Sequence, residues 1–342
     1  MPGDPSTREL NRATLARQLL LERAGGDVVE AVGRLGALQA QEPRPPFVAL
    51  WSRLEGFAAD DLNAAIAAKT LVRGTLMRGT VHVARAEDFL AWQPLLAPFG
   101  VEAMRTLLGA RIAGVDVDAI VADARELFAD GRALSAKQLR DELAARHPDA
   151  DVRAVAAISR YSLPLVRVPE GGRWGFKPTS PFTDAHAWLG RDPVAAPDLD
   201  ALVRAYLAAF GPATPRDAAQ WLGGDVRAGF EQDGLLRLGS YYDLPDAPRP
   251  GADAEAPVRF LADFDSLVLA HADRSRVIAD EHRKALTTKN PRVRATVLVD
   301  GMVAGFWTIE RKRVVVEPLR QLRAAERRAV DAEAERLAAF AA

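Results

Sequence analysis

Along roughly the first 245 residues, apolar positions recur every three to four residues in separate runs, the period of helices with one buried face. Leu10 to Arg23 is the first predicted helix, closed by Gly25-Gly26. Asp27, with Glu30 three residues on, reads as a capping box for a second, Asp27 to Gln39, in which Val28, Val32, Leu35 and Leu38 line one face. Pro43, Pro45 and Pro46 stop it, because the residue before a proline is pushed out of the α region. Asp60 to Lys69 is a third helix with Leu62, Ala65 and Ile66 inward. From Leu71 to Val83, β-branched residues and two glycines predict a strand pair. Three helices and a hairpin make the outline of a winged helix.

The pattern returns. Asp118 to Phe128 is a helix, Ser135 and Gln138 form a second capping box opening a helix to about Arg146, and Asp151 to Tyr161 is a third. Leu165 to Phe176 reads as a strand, a glycine turn and a strand. A further cycle has a helix from Leu199 to Phe210 and one to Leu222 opened by Thr214 with Pro215 at the first helical position. Asp225 begins another helix and Leu235 a strand. The tetrapeptide Gly-Gly-Asp-Val occurs at both Gly25 and Gly223, and the repeated cycle points to tandem units.

Two Ala-, Asp- and Pro-rich linkers are expected, Thr179 to Pro197 and Asp246 to Pro257, and beyond them the period changes. Phe260 to Ala270 is apolar and expected to be buried. Ala295 to Val299, Met302 to Glu310 and Arg313 to Glu317 read as strands, the first two joined by Asp300-Gly301, and Gln321 to Phe340 as a last helix. The expected fold class is mainly α with β hairpins (α+β). Winged helix-turn-helix units occupy 10–110, 111–190 and 198–245, and a β-rich basic unit with a terminal helix occupies 258–342.

Composition narrows the function classes. The chain of 342 residues has no cysteine, which excludes disulfides, iron–sulfur clusters and cysteine zinc sites. No apolar run is long enough to span a bilayer and no basic-then-apolar leader is visible, so a cytoplasmic, nucleoid-associated protein without membrane contact is expected. The histidines, His82, His147, His186, His271 and His282, lack zinc-binding spacing, and neither metal nor cofactor is expected. Net charge is only -1, yet Arg274 to Arg323 carries twelve Lys or Arg against five Asp or Glu, a local +7. Such a patch neutralises phosphates and releases counterions, although a solvated face with no partner has the same composition. Arg311, Lys312, Arg313, Lys284 and Lys289, with Arg78, are the candidate DNA contacts.

Two further stretches hold candidate chemistry. Gln39 and Gln41 straddle a helix end; positions two apart share a side only where the chain is extended, so unwinding there would aim both at one spot. A polar closing turn is the plain alternative. At Phe264 to Arg276 an apolar segment emerges into His271, Asp273, Arg274 and Arg276, a cluster suited either to contacting phosphates or a developing charge or to forming a salt-bridged loop. No phosphate-cradling loop and no Ser-His-Asp arrangement is present. Lys177, Lys284 and Lys289 sit in no motif that marks a Schiff-base lysine.

Taken together, Leu38-Gln-Ala-Gln41-Glu-Pro43, Leu76-Met-Arg78-Gly79-Thr80-Val-His82, and Phe264-Asp265-Ser-Leu with His271-Ala-Asp273-Arg274-Ser-Arg276 resemble the winged-helix DNA glycosylases typified by AlkZ and YcaQ. The likeness spans about Leu10 to Leu322, and the Gln-x-Gln places it nearer the AlkZ-like branch than the YcaQ-like branch, which has Gln-x-Asp. The resemblance implies Gln39 and Gln41 as a catalytic pair in a concave DNA-binding surface. It implies excision of purines alkylated at N7, with interstrand crosslinks unhooked by some members that resist a self-made genotoxin. A monofunctional, monomeric enzyme acting on double-stranded DNA is expected. A non-catalytic winged-helix regulator, and a scaffold whose basic end meets an acidic protein, remain the alternatives from other classes.

Overall fold

Side-chain caps set where most of the helices begin. In the computed structural model, which describes residues 3–194, 196–288 and 292–342, Ser6, Asp27, Asp116, Ser135, Asp151, Asp184, Asp198 and Thr214 each accept from a first-turn backbone N–H. These donors have no partner within their own helix. The chain runs α1 (Thr7–Arg17), α2 (Val28–Arg34), β1 (Leu38–Gln39), α3 (Pro45–Trp51), α4 (Ala59–Ala67), β2 (Leu71–Thr75), β3 (Val81–Arg85) and α5 (Ala86–Leu108). It continues through α6 (Val117–Glu126), α7 (Ala136–Arg146), α8 (Val152–Ser162), β4 (Leu165–Arg167), β5 (Phe182–Asp184) and α9 (Ala185–Leu189). Next come α10 (Leu199–Phe210), α11 (Pro215–Leu222), β6 (Leu236–Leu238) and β7 (Tyr241–Asp243). The end is built from β8 (Arg259–Leu261), β9 (Thr296–Val299), β10 (Met302–Glu310), β11 (Arg313–Pro318) and α12 (Ala324–Ala341).

This is a mixed α/β chain whose sheets are antiparallel. The first sheet has the order β1-β3-β2-β4-β5, so strands from the first and second helical stretches share one set of hydrogen bonds. Gly74 is where they meet, opposite Val166; a Cβ there would lie 2.4 Å from the Phe89 ring and 2.9 Å from the Leu165 carbonyl. The C-terminal sheet is β11-β10-β9-β8. Its turns are tight: Asp300 and Gly301 have φ 50° and 77°, and Arg311 and Lys312 have φ 48° and 66°, the pattern of a two-residue hairpin loop.

The C-terminal unit does not stand apart. Phe260, Trp307 and Leu337 share an apolar core with Val32, Phe47 and Leu62 from the first helices. Phe340 stacks on Trp51 at 6.0 Å. Beneath them Arg53 and Asp265, each with a side chain 1% exposed, pair through two bonds of 2.9 and 2.8 Å. No helix among the described residues is long and apolar enough to cross a membrane.

Several expected elements differ. The second helix stops at Arg34 rather than Gln39, because Gly36 and Ala37 enter the left-handed region (φ 69° and 77°) and the chain then joins a sheet. Pro45 and Pro46 open α3, since proline suits the first helical turn, where its missing N–H costs nothing. α5 was hidden by Pro94 and Pro98 in its interior; Phe89, Trp92 and Leu96, all buried, hold it helical. The partner of β4 is β5, not the stretch before Phe176, so the expected linker from Thr179 carries β5 and α9. The helix expected at Asp225 is a single turn, Arg227–Phe230.

Candidate active site

β1 is only two residues long, yet it decides where both glutamines go. Leu38 and Gln39 pair with Val83 and His82, and the Ala40 N–H donates to the Val81 carbonyl at 2.7 Å. Gln39 therefore lies on a strand and is only 8% exposed, rather than at the exposed end of a helix, while Gln41 beyond it is exposed. The backbone between them is clamped from below. Arg73, buried at 2% exposure, donates twice to the Ala40 carbonyl (3.0 and 2.8 Å) and once to that of Gln41 (3.3 Å). Burial pulls its guanidinium down to about 10, still charged at neutral pH.

Around Gln39 the walls come from the turn between β2 and β3 and from α11. Arg78 donates to Gln39 Oε1 at 2.8 Å and to the Trp221 carbonyl at 2.9 Å, with its guanidinium 3.9 Å from the Trp221 ring centroid. Burial first, and the charge of Arg274 second, lower Arg78 to about 9. His82, directly across from Gln39, is fully buried and meets Trp221 edge-on at 5.8 Å. Its Nδ1 lies 2.9 Å from the Thr80 carbonyl, which requires the proton there, and leaves Nε2 bare and without a partner. Gln41 Oε1 accepts from the Val81 N–H at 3.3 Å. No carboxylate hydrogen-bonds to either glutamine among the described residues, although Glu42, next in the chain, acts on Arg73 through its charge. The two amides can orient and polarise through their dipoles, but neither can deprotonate water at neutral pH.

The His271 cluster is divided by the fold. His271 is 1% exposed, with Nε2 at 2.9 Å from the Phe210 carbonyl. Arg276, 2% exposed, donates to the Pro212 carbonyl and Thr14 Oγ1 at 2.9 and 3.2 Å. Both are sealed into the packing of α10 and α11, alongside Asp217, which accepts from the Ala272 N–H at 2.9 Å. Asp273 is exposed and accepts from the Ser275 N–H at 2.9 Å. Only Arg274, half-buried, bears on the glutamines' surroundings, through its charge on Arg78.

Among the described residues, five of the twelve cations between Arg274 and Arg323 are held in ion pairs. Arg283 pairs with Asp280, Arg292 with Asp263, Arg294 with Glu317, and both Arg320 and Arg323 with Glu326. Lys284, Arg311, Lys312 and Arg313 are exposed and have no ion pair among the described residues, the last three at the β10–β11 turn. Lys289 lies outside the described residues. Lys177 lies 3.5 Å from Glu170. Of the tryptophans, Trp307 donates to the Leu261 carbonyl inside the core, and Trp174 packs edge-on against Phe47. Sequence reasoning missed Arg73 and Trp221; the one available signal was a charged residue inside the apolar run Leu71-Val-Arg73.

Burial pushes both His82 and His271 down to about 3, with the charges of Arg78 and Arg276 respectively as the next cause. Unfolded histidine titrates near about 6.5. Below that, the unfolded chain takes up protons that the folded protein refuses, so this stability is complete above about pH 6.5 and declines as pH falls toward 3. Urea unfolding at pH 7 and pH 5 should show a loss of roughly 3–4 kcal/mol from the pair, about half of it absent in His82→Gln. Equal stability at the two pH values would mean that these rings are protonated in the fold.

Residues 32–340 match the family model described as DNA glycosylase AlkZ-like. The interstrand DNA cross-link repair glycosylase of Streptomyces sahachiroi is 26% identical to the chain, with 97% of this chain and 96% of that protein covered. The solved structure of the Streptomyces sahachiroi DNA glycosylase AlkZ superposes with a TM-score of 0.83 at 24% identity, covering 99% of this chain and 97% of that one.

Proposed function

Because the chain belongs to the DNA glycosylase AlkZ-like family, we propose that it hydrolyses the N-glycosidic bond of purines alkylated at N7, with Gln39 and Gln41 as the catalytic pair. The observation carrying this reading is the braced strand. Two amides on one short segment are held by Arg73 through the backbone and by Arg78 through a side chain, and among the described residues no carboxylate hydrogen-bonds to either amide. An N7-alkylated purine is already cationic, so it departs without a strong general acid. What remains is to place a water and stabilise an oxocarbenium-like sugar, which preorganised dipoles do well. Such a site is weak on neutral bases, a safeguard for undamaged DNA. A crosslink bridging two purine N7 atoms offers the same chemistry at each end, which extends the reading to the interstrand cross-link repair named for the Streptomyces relative.

The fold reading that accompanies this is three winged helices in series, 10–110, 111–190 and 198–245, ahead of the unit at 258–342, in a monomer working at the nucleoid. Arg311, Lys312, Arg313 and Lys284 are the phosphate contacts, because among the described residues they are the exposed cations of the patch in no ion pair. The tight β10–β11 turn carrying three of them is the candidate wing tip that props the duplex open. Replacing Arg311, Lys312 and Arg313 with Ala should weaken DNA binding, and each lost contact should lower the log–log salt slope by roughly 0.9. An unchanged slope would turn this hairpin away from the DNA.

Product analysis tests the reaction. A duplex with one N7-methylguanine should yield the free base and an abasic strand that stays intact until alkali is added. A regulator or scaffold with the same fold releases nothing, and a lyase nicks the strand without alkali.

A further inference from the structure

The orientation of the Gln39 amide is fixed by chemistry. A guanidinium only donates, so the Gln39 atom 2.8 Å from Arg78 Nη2 is the carbonyl oxygen. Arg78 is itself immobilised. Nη1 donates to the Trp221 carbonyl, the guanidinium plane covers the Trp221 ring, and the backbone sits at φ 55° within the turn Met77–Gly79. Gly223 packs so closely that a Cβ there would come within 2.9 Å of Arg78 Cα.

A cation placed like this can serve one of two purposes, contacting a phosphate or bracing the protein. Of the five N–H donors on Arg78, the two that are engaged, one on each terminal nitrogen, both hold it to the protein, to Trp221 and to Gln39. Bracing is the role that fits. The consequence falls on the other end of the amide. Gln39 Nε2 has no hydrogen-bond partner among the described residues and, unlike His82 Nε2, is not sealed off. A carbonyl bonded to a cation also makes its own N–H groups stronger donors. Gln41 is different: it is exposed, and its carbonyl holds only a long 3.3 Å bond from Val81.

We propose that Arg78 is a positioning residue that turns the Gln39 carbonyl inward and its N–H donors outward, so that Gln39 donates to an oxygen of the target nucleotide while Gln41 supplies the carbonyl that holds the water. This rests on the glutamine site described above. The acceptors within reach of such a donor on a nucleotide are its phosphate oxygens, its sugar oxygens and the purine O6. The two glutamines then have different tasks despite identical chemistry, and the difference is imposed from outside by one guanidinium.

Single-turnover excision of N7-methylguanine from a duplex, at saturating enzyme, tests this on wild type, Arg78→Met, Gln39→Ala and the double variant, with DNA affinity and thermal melting measured alongside. Arg78→Met should lose roughly tenfold to 100-fold in rate, and in the Gln39→Ala background less than about threefold. An equal loss in both backgrounds overturns the proposal. Should the methionine variant melt below the assay temperature, Arg78→Lys replaces it in the cycle. Lysine keeps the positive charge but replaces the two-pronged fork that holds Trp221 and Gln39 with a single nitrogen, and the same pair of outcomes decides. Gln39→Glu separates donor from acceptor: it should fall to the rate of Gln39→Ala, and a wild-type rate would refute the donor role. An undiminished rate in Gln39→Ala alone would take Gln39 out of the site and overturn the proposal, whereas undiminished rates in both Gln39→Ala and Gln41→Ala would be a failure of the wider reading.

Discussion

Gln41→Ala should lose on the order of 100-fold or more in single-turnover excision of N7-methylguanine, with DNA affinity nearly unchanged. The rate falls because a preorganised dipole is lost where charge develops; affinity holds because phosphates supply most of it. Gln39→Ala should behave alike. Gln41→Asp is expected to retain activity or widen the substrate range, since a carboxylate places a full negative charge beside the developing cation and can take up a proton from water. The position tolerates the change: Gln41 is exposed and its one side-chain bond, from Val81, is long. Full activity in both alanine variants would take the two glutamines out of the active site, and attention would move to Arg274, the member of the His271 cluster whose charge reaches Arg78.

Asp265→Ala should destabilise the fold by about 3–5 kcal/mol. Asp265 and Arg53 are sealed off together, and the same carboxylate accepts from the Leu267 N–H at 3.0 Å. Removing it leaves Arg53, whose remaining bonds go to the carbonyls of Gln18 and Ala49, as an uncompensated buried cation. The paired change Arg53→Met with Asp265→Leu should recover most of the loss, because replacing both partners of a buried ion pair by apolar groups of similar volume is often neutral. Urea unfolding of the three proteins decides this. A loss below about 1 kcal/mol in Asp265→Ala would mean that water reaches the pair. The result matters for function as well, since this bond ties the chain just past α3, the helix that follows the glutamines, to the C-terminal unit.

The sequence was most legible where local chemistry dominates. Ser135 with Gln138, Thr214 with Pro215, and Asp300-Gly301 each formed the cap or turn that their spacing predicts, because such motifs need only a few neighbouring residues. It was least legible where distant residues override local preference. α5 persists through Pro94 and Pro98 because its buried aromatic face outweighs two lost hydrogen bonds. The glutamine segment follows the same rule. Leu35 and Leu38 carry a helical period, but Val83 and His82 supply a strand partner, and the chain leaves the helix after Arg34 to take it. Which of the two readings of the His271 cluster holds was not legible, because a cluster of charges in sequence says nothing about burial; Pro212, Thr14 and Phe210, which enclose Arg276 and His271, lie far away in the chain.

The account turns on a cationic base being the substrate, and one comparison tests that most directly. Duplexes identical except for a single N7-methylguanine or a single hypoxanthine, a neutral base, are incubated with the protein under single-turnover conditions. Released base should appear from the N7-methylguanine duplex alone. Equal release from both would contradict a site that works without a general acid, and release from neither would contradict excision of N7-alkylated purines altogether.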